Sequence, residues 1–360
     1  MKLFLIKVFT FCCILILCIQ GTDWLVPYYW GNPECADKLR TLHDRGAEFN
    51  TLFIGSSRVY RQINPALFDT MSVVPTSSFN LGCSRTFTPE SFYLFKHMIE
   101  DDALNNLQYI VMELQIVTPI APDNRGAIQS QYYLDAEELR FAMAEVLNAE
   151  DLSLKRRIKM LVGYGESYLR RLLGINTLRT KLAVLYNPAS LWAGINTVVA
   201  ANAPDGYYSL EREAREIGGE VLVRRQEFLA DPAELSRRKA QAQQIYNNVA
   251  AFHANPIYLT RLKQLIALAN AHHIHLIFVL PPRLQDEYFA ELVPLFYQLN
   301  PAHRIDLGNP ERFADFYAVE NSYDVGHLND HGSALFTHEL ATQFSELVTV
   351  GTAVTTDETP

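Results

Sequence analysis

Cysteine, basic charge and long apolar runs are all scarce in this chain, and each scarcity excludes something. Only five cysteines occur in 360 residues, and Cys12, Cys13 and Cys18 lie together in the apolar N-terminal stretch. Cys35 and Cys83 remain, enough for one disulfide in an oxidising compartment but too few for a disulfide framework. No group of Cys, His and carboxylates has metal-ligand spacing, and His272, His273 and His275 have no such partner nearby in sequence, so neither a metal nor another cofactor is expected. Lys and Arg number 31 against 40 Asp and Glu, a formal net charge of -9. That balance argues against a nucleic-acid partner, which needs a basic surface, and against general adhesion to anionic headgroups. No internal repeat is present. The hydrophobic fraction of 49% with 20% charged residues suits a globular protein with a substantial core, as one large domain or two small ones.

The one long apolar run is N-terminal. Lys2 and Lys7 flank its start and it continues from Val8 to Ile19, the charge asymmetry of an export signal. Cys18-Ile-Gln-Gly-Thr22 is a poor cleavage site, and Leu17 before Cys18 makes a poor lipoprotein site. Residues about 3–19 are therefore expected to remain as a signal anchor with the rest of the chain outside the cytoplasm, the alternative being secretion after cleavage. Residues 1–22 form this segment and 23–49 a connector carrying Trp24, Tyr28, Tyr29 and Trp30, aromatics that favour a bilayer interface. A polar tail over 346–360 is expected to be disordered.

Between these ends the pattern is α/β. Thr51–Gly55, Ser77–Gly82, Gln108–Leu114, Ile274–Leu280 and Arg304–Leu307 read as strands, the longer ones nearly continuous apolar runs suited to a parallel sheet. Thr88–Ile99, Tyr258–Asn270 and His331–Phe344 read as amphipathic helices. From about 117 to 255 the periodicity becomes helical, as in Asp135–Val146 and Leu154–Val162, and marks a large insertion in the sheet domain of residues 50–345.

Two short stretches carry the chemistry. Gly55-Ser56-Ser57-Arg58 follows the first strand, where the chain leaves the carboxyl edge of the sheet and ligands gather in α/β folds. Tyr323-Asp324-Val-Gly-His327-Leu-Asn329 precedes the last helix. A serine needs a base to become a nucleophile, and the base needs an acid to fix its tautomer. Alone, the serines read as helix caps and Asp-x-x-His as a surface loop.

Together, in this order, they resemble the SGNH (GDSL-type) hydrolase superfamily, over about residues 50–115 and 256–345. The resemblance implies a three-layer flavodoxin-like SGNH fold with a central parallel sheet, the helical insertion and the N-terminal membrane segment. It implies a triad of Ser57, His327 and Asp324, with Ser57 ahead of Ser56 as nucleophile, although Ser56 stands where the superfamily commonly has Asp. The oxyanion donors it implies are Ser57 N–H and Gly82 N–H. The superfamily's Gly-x-Asn-Asp block is absent, and Glu113-Leu-Gln115 stands there, leaving Gln115 as a substitute amide. Arg58, Asn80, Asn329 and Arg283 are candidate substrate contacts. The sequence looks closest to membrane-anchored members similar to teichoic-acid D-alanylation and alginate O-acetylation proteins. Such a likeness implies a serine esterase or O-acyltransferase, for acetyl above other groups, acting on envelope polysaccharide or an acylated small molecule, with a membrane-bound O-acyltransferase as a further partner. The rival expectation is a non-catalytic SGNH-fold scaffold or binding protein that assists such an acyltransferase.

Overall fold

The computed structural model describes residues 1–24, 35–84, 86–117, 132–149, 152–175, 177–186 and 203–356. Tyr28, Tyr29 and Trp30 lie outside them; Trp24 is described and exposed. Five strands form one all-parallel sheet: β1 (Thr51–Gly55), β2 (Ser78–Gly82), β3 (Tyr109–Glu113), β4 (His275–Leu280) and β5 (Arg304–Asp306). Their order is β2-β1-β3-β4-β5. The chain reverses its direction of growth between β1 and β3, which opens a crevice at their carboxyl ends. Leu52, Phe53 and Ile54 of β1, Ile110, Val111 and Met112 of β3 and Leu276, Ile277 and Phe278 of β4 are all buried. Strands covered on both faces require such unbroken apolar runs.

Helix α1 (Lys2–Gly21) is long and apolar enough to cross a membrane. α2 (Ala36–Arg45) follows, and within the stretch read as a connector it packs into the domain. Cys35 and Cys83 form a disulfide across a Cα–Cα distance of 5.6 Å, tying the start of α2 to the residue after β2. Lys38, one turn on, is buried and donates from Nζ to Asn80 O (3.0 Å) and Gly82 O (2.5 Å). The apolar helix and the disulfide together suggest an extracytoplasmic location.

The short helices α3 (Ser57–Gln62) and α4 (Pro65–Met71) lead from β1 towards β2, and α5 (Glu90–Glu100) from β2 towards β3. The insertion contributes α6 (Ala136–Asn148), α7 (Leu154–Leu172), α8 (Leu178–Tyr186), α9 (Leu210–Glu216), α10 (Glu220–Ala230) and α11 (Ala233–Asn247). α12 (Pro256–Ala271), α13 (Asp286–Tyr297) and α14 (Asp330–Thr356) complete the domain. Asp205 O accepts from Asn80 N–H at 2.8 Å, so the insertion also covers the outer edge of β2, where an open strand would recruit other chains. α14 departs from expectation. It stays helical to Thr356 where the composition of 346–360 suggests a disordered tail, because Leu347 and Val348 extend its apolar face beyond Phe344.

One buried carboxylate couples the insertion to pH. Glu145 on α6 accepts from Asn255 Nδ2 at 2.7 Å, and Asn255 caps α12. Burial, then the nearby charge of Glu291, pushes its pKa from 4.5 up to about 8. The folded state thus holds a proton that the unfolded chain releases. This contribution to stability is complete below 4.5 and is lost as pH rises through about 8. In thermal melts followed by circular dichroism, Glu145→Gln is expected to flatten the alkaline fall of Tm and to melt several degrees above wild type at about pH 9. An unchanged pH dependence would show that Glu145 is ionised in the fold.

Candidate active site

β1 delivers Ser56 and Ser57 past the carboxyl edge of the sheet, and the two serines do different work. Ser56 is buried and caps α3, its Oγ accepting from Arg58 N–H at 3.2 Å. Its own N–H donates to Glu113 Oε2 at 2.6 Å. Glu113, at the end of β3, therefore braces the turn that follows β1. Gly55 permits this, since a Cβ there would stand 2.7 Å from the Glu113 carboxylate. Ser57 opens α3 and turns its hydroxyl outwards to His327, with Oγ 2.9 Å from Nε2.

Asp324 is arranged to receive the other side of that imidazole. Its Oδ1 lies 2.8 Å from His327 Nδ1 and accepts from the backbone N–H groups of Gly326 and His327, each at 2.8 Å. With Nδ1–H donating to the carboxylate, Nε2 offers its lone pair to the Ser57 hydroxyl. Burial alone would raise the Asp324 pKa, but His327, Arg224 and the Gly326 N–H outweigh it and hold the carboxyl well below the usual range.

The loop bearing both residues is fastened from behind. Arg283, after Pro281-Pro282, is fully buried. Its guanidinium donates to the carbonyls of Phe316, Asp324 (3.3 Å), His327 (3.1 Å) and Ala318 (3.4 Å). Asn329 donates to Glu320 O at 2.6 Å and accepts from Gly332 N–H at 2.8 Å. Both residues were candidate substrate contacts, and both instead organise the loop that carries Asp324 and His327, because their polar groups face inward. Asn80 is corrected in the same way. It is buried, and its Nδ2 donates to Val59 O and Ile63 O at 2.8 and 2.7 Å. Arg58 pairs with Glu113 across 3.7 Å and is mostly covered.

The expected oxyanion hole is the largest departure. Gly82 N–H donates to Asn80 Oδ1 at 2.9 Å. The Gln115 amide donates to Thr86 O (2.9 Å) and Glu113 Oε2 (3.2 Å). Two of the three expected donors thus satisfy the protein's own buried acceptors. Ser57 N–H, in the first turn of α3, remains outside the helical ladder.

Sequence reasoning missed Arg224. It lies on α10 of the insertion, is 44% exposed, and sets its Nε 3.1 Å from Asp324 Oδ2. Its neighbour Arg225 donates to the carbonyls of Ser322 and Tyr323, and Tyr323 Oη donates to Val221 O at 3.0 Å. No local signal marks these residues, since a charged helix reads as a solvated face. Arg224→Met is expected to lower kcat by about tenfold or less, because half-exposed pairs are weakly coupled. The Asp324 carboxyl should titrate at higher pH than in wild type, as it loses a cation that favours its charged form. Arg224→Lys should restore most of both; a KM effect without a kcat effect would make Arg224 a substrate contact instead.

No protein-family model, curated protein or solved structure matches the chain.

Proposed function

We propose that this chain is an extracytoplasmic serine esterase or O-acyltransferase of SGNH type. On this reading the domain has the three-layer flavodoxin-like SGNH fold, is held at the cytoplasmic membrane by α1, and modifies cell-envelope polysaccharide. The observation that carries the reading is the continuous chain Ser57 Oγ–His327 Nε2 at 2.9 Å and His327 Nδ1–Asp324 Oδ1 at 2.8 Å. Residues 270 apart in sequence have no structural need to meet in that order and orientation.

The chemistry follows from the donors and acceptors. Ser57 Oγ attacks an ester carbonyl while His327 Nε2 takes its proton, and Asp324 stabilises the imidazolium that forms. Ser57 N–H meets the developing oxyanion. Collapse breaks the bond to the leaving alcohol, which receives the proton from His327, and the acyl group stays on Ser57. A water or sugar hydroxyl then gives its proton to His327 and attacks the same carbonyl, and the acyl bond to Ser57 breaks as Oγ takes that proton back from His327. Hydrolysis and transfer differ only in the acceptor. Acetyl is the favoured acyl group, and a membrane-bound O-acyltransferase is the natural donor-side partner.

A specific observation favours a second reading. Gly82 N–H and the Gln115 amide serve internal acceptors, which suits a non-catalytic SGNH-fold scaffold assisting such an acyltransferase. Full-length chain in detergent, given p-nitrophenyl acetate with and without envelope oligosaccharide, separates the two. An enzyme releases nitrophenol, and a transferase also adds acetyl mass to the sugar. Folded protein that does neither supports the scaffold.

A further inference from the structure

Among the described residues, α7 is covered on one side only. Met160, Tyr164 and Ser167 are buried, and α7 packs against α6. A second apolar row lies in the open: Leu154 (71% exposed), Ile158 (52%), Val162 (53%), Leu169 (55%) and Leu173 beyond the helix end (44%). Steps of four and seven residues keep such side chains on one side of a helix, so they form a stripe rather than scattered contacts. Lys155 and Lys159 are exposed and border them on the helix. Within Leu154–Leu172 there are six Lys or Arg (Lys155, Arg156, Arg157, Lys159, Arg170, Arg171) and one acidic residue, Glu166, in a chain whose net charge is -9. Arg157 and Arg171 donate to the carbonyls of Ala149 and Tyr132 and Arg170 pairs with Glu166, which leaves Lys155 and Lys159 as the cations bordering the stripe.

The same helix ends against α1. Gln20 Nε2 donates to Arg171 O (3.2 Å) and Leu172 O (2.9 Å), and Ile19 is buried. Gly174, with φ of 63°, turns the chain beneath Ile19, and a Cβ there would collide with it. The last turn of the apolar helix thus has a seat on the domain, and the stripe on α7 begins at that seat. Trp24, three residues beyond α1, is exposed, and indoles favour a bilayer interface.

We propose that α7 is an interfacial helix, and that its Leu154–Leu173 stripe rests on the outer surface of the same bilayer that α1 enters. The occupant is the lipid itself: acyl-chain carbons take the leucines, isoleucine and valine, and anionic phosphate headgroups take Lys155 and Lys159. This rests on the reading of α1 as a retained anchor. Its consequence is orientation: a domain held at α1 and along α7 presents its site at a set height and angle to the membrane, whereas one held by α1 alone would swing.

The test uses the full chain in nanodiscs of phosphatidylethanolamine and phosphatidylglycerol, with Cys12, Cys13 and Cys18 changed to Ala. Spin labels go on Ile158→Cys, Val162→Cys and, as a water-facing reference on α11, Ser236→Cys; cooperative melts show that each labelled chain is folded. The expected result is that labels at 158 and 162 collide with oxygen and are shielded at least several-fold from a water-soluble nickel chelate, relative to 236. Shielding should weaken in discs lacking phosphatidylglycerol. Nickel contact equal to that at 236 would overturn the proposal. So would dipolar broadening between two labelled chains, or shielding that requires other membrane proteins. Failure of the anchor reading is seen separately, as a mature N-terminus that lacks α1 by intact mass.

Discussion

Replacing Ser57 by Ala is expected to lower turnover of a soluble ester by about 10⁴–10⁶-fold while leaving the melting temperature close to that of wild type. The magnitude follows from the position of its Oγ, 2.9 Å from His327 Nε2. Removing that atom leaves the base with nothing to activate except water. His327→Gln should cost a similar factor, and the double variant little more than either single one, because the groups act as a unit. Ser56→Ala provides the contrast. Its Oγ caps α3 through Arg58 N–H, so its loss should reduce stability by about 1 kcal/mol and leave the chemistry largely intact. Steady-state rates and urea unfolding of the four proteins separate these roles. Equal loss of activity in Ser56→Ala and Ser57→Ala would mean that the turn, not one hydroxyl, is what matters.

Arg283→Met is expected to be the most damaging change away from the reacting atoms. Arg283 has φ of 65°, a left-handed conformation that costs a non-glycine residue on the order of 1 kcal/mol or more. It is kept there because its guanidinium satisfies four loop carbonyls, those of Asp324 and His327 among them. Burial lowers its pKa from 12.5 to about 9, against the opposing influence of Tyr317 and Asp324, so it remains a cation at neutral pH. Methionine fills the volume but leaves those carbonyls buried without donors. A loss of about 3 kcal/mol or more in urea unfolding is expected, with kcat reduced about a hundredfold and KM changed far less. Arg283→Lys should recover only part, since an ammonium cannot reproduce the planar fork. A kcat within about twofold of wild type in folded Arg283→Met would show that the loop holds its geometry unaided.

How much of this was legible in the sequence depended on whether the signal was local. The strands were legible because burial on both faces demands unbroken apolar runs, and Thr51–Gly55 and His275–Leu280 stand almost where the pattern put them. That Ser57, Asp324 and His327 would meet was legible through the resemblance, which links a serine after the first strand to Asp-x-x-His before the last helix. The oxyanion donors were not. Which way Gly82 N–H points depends on the Asn80 side chain beside it, and no spacing rule encodes a rotamer. Arg283 read as a strand-end candidate for substrate contact, yet its burial depends on Phe316, Ala318 and the 324–327 turn closing over it. Arg224 and Lys38 were invisible for the same reason: each meets its partners only after separate segments have folded back onto the sheet.

The most direct test of the central claim, that His327 and Asp324 make Ser57 a nucleophile, is intact-protein and peptide mass spectrometry of the full chain after exposure to a fluorophosphonate. The expected result is one adduct, on Ser57, formed in wild type and Ser56→Ala and absent from His327→Gln. Folded wild-type protein that takes no adduct, or takes it on Ser56 or at equal rate without His327, would contradict the triad.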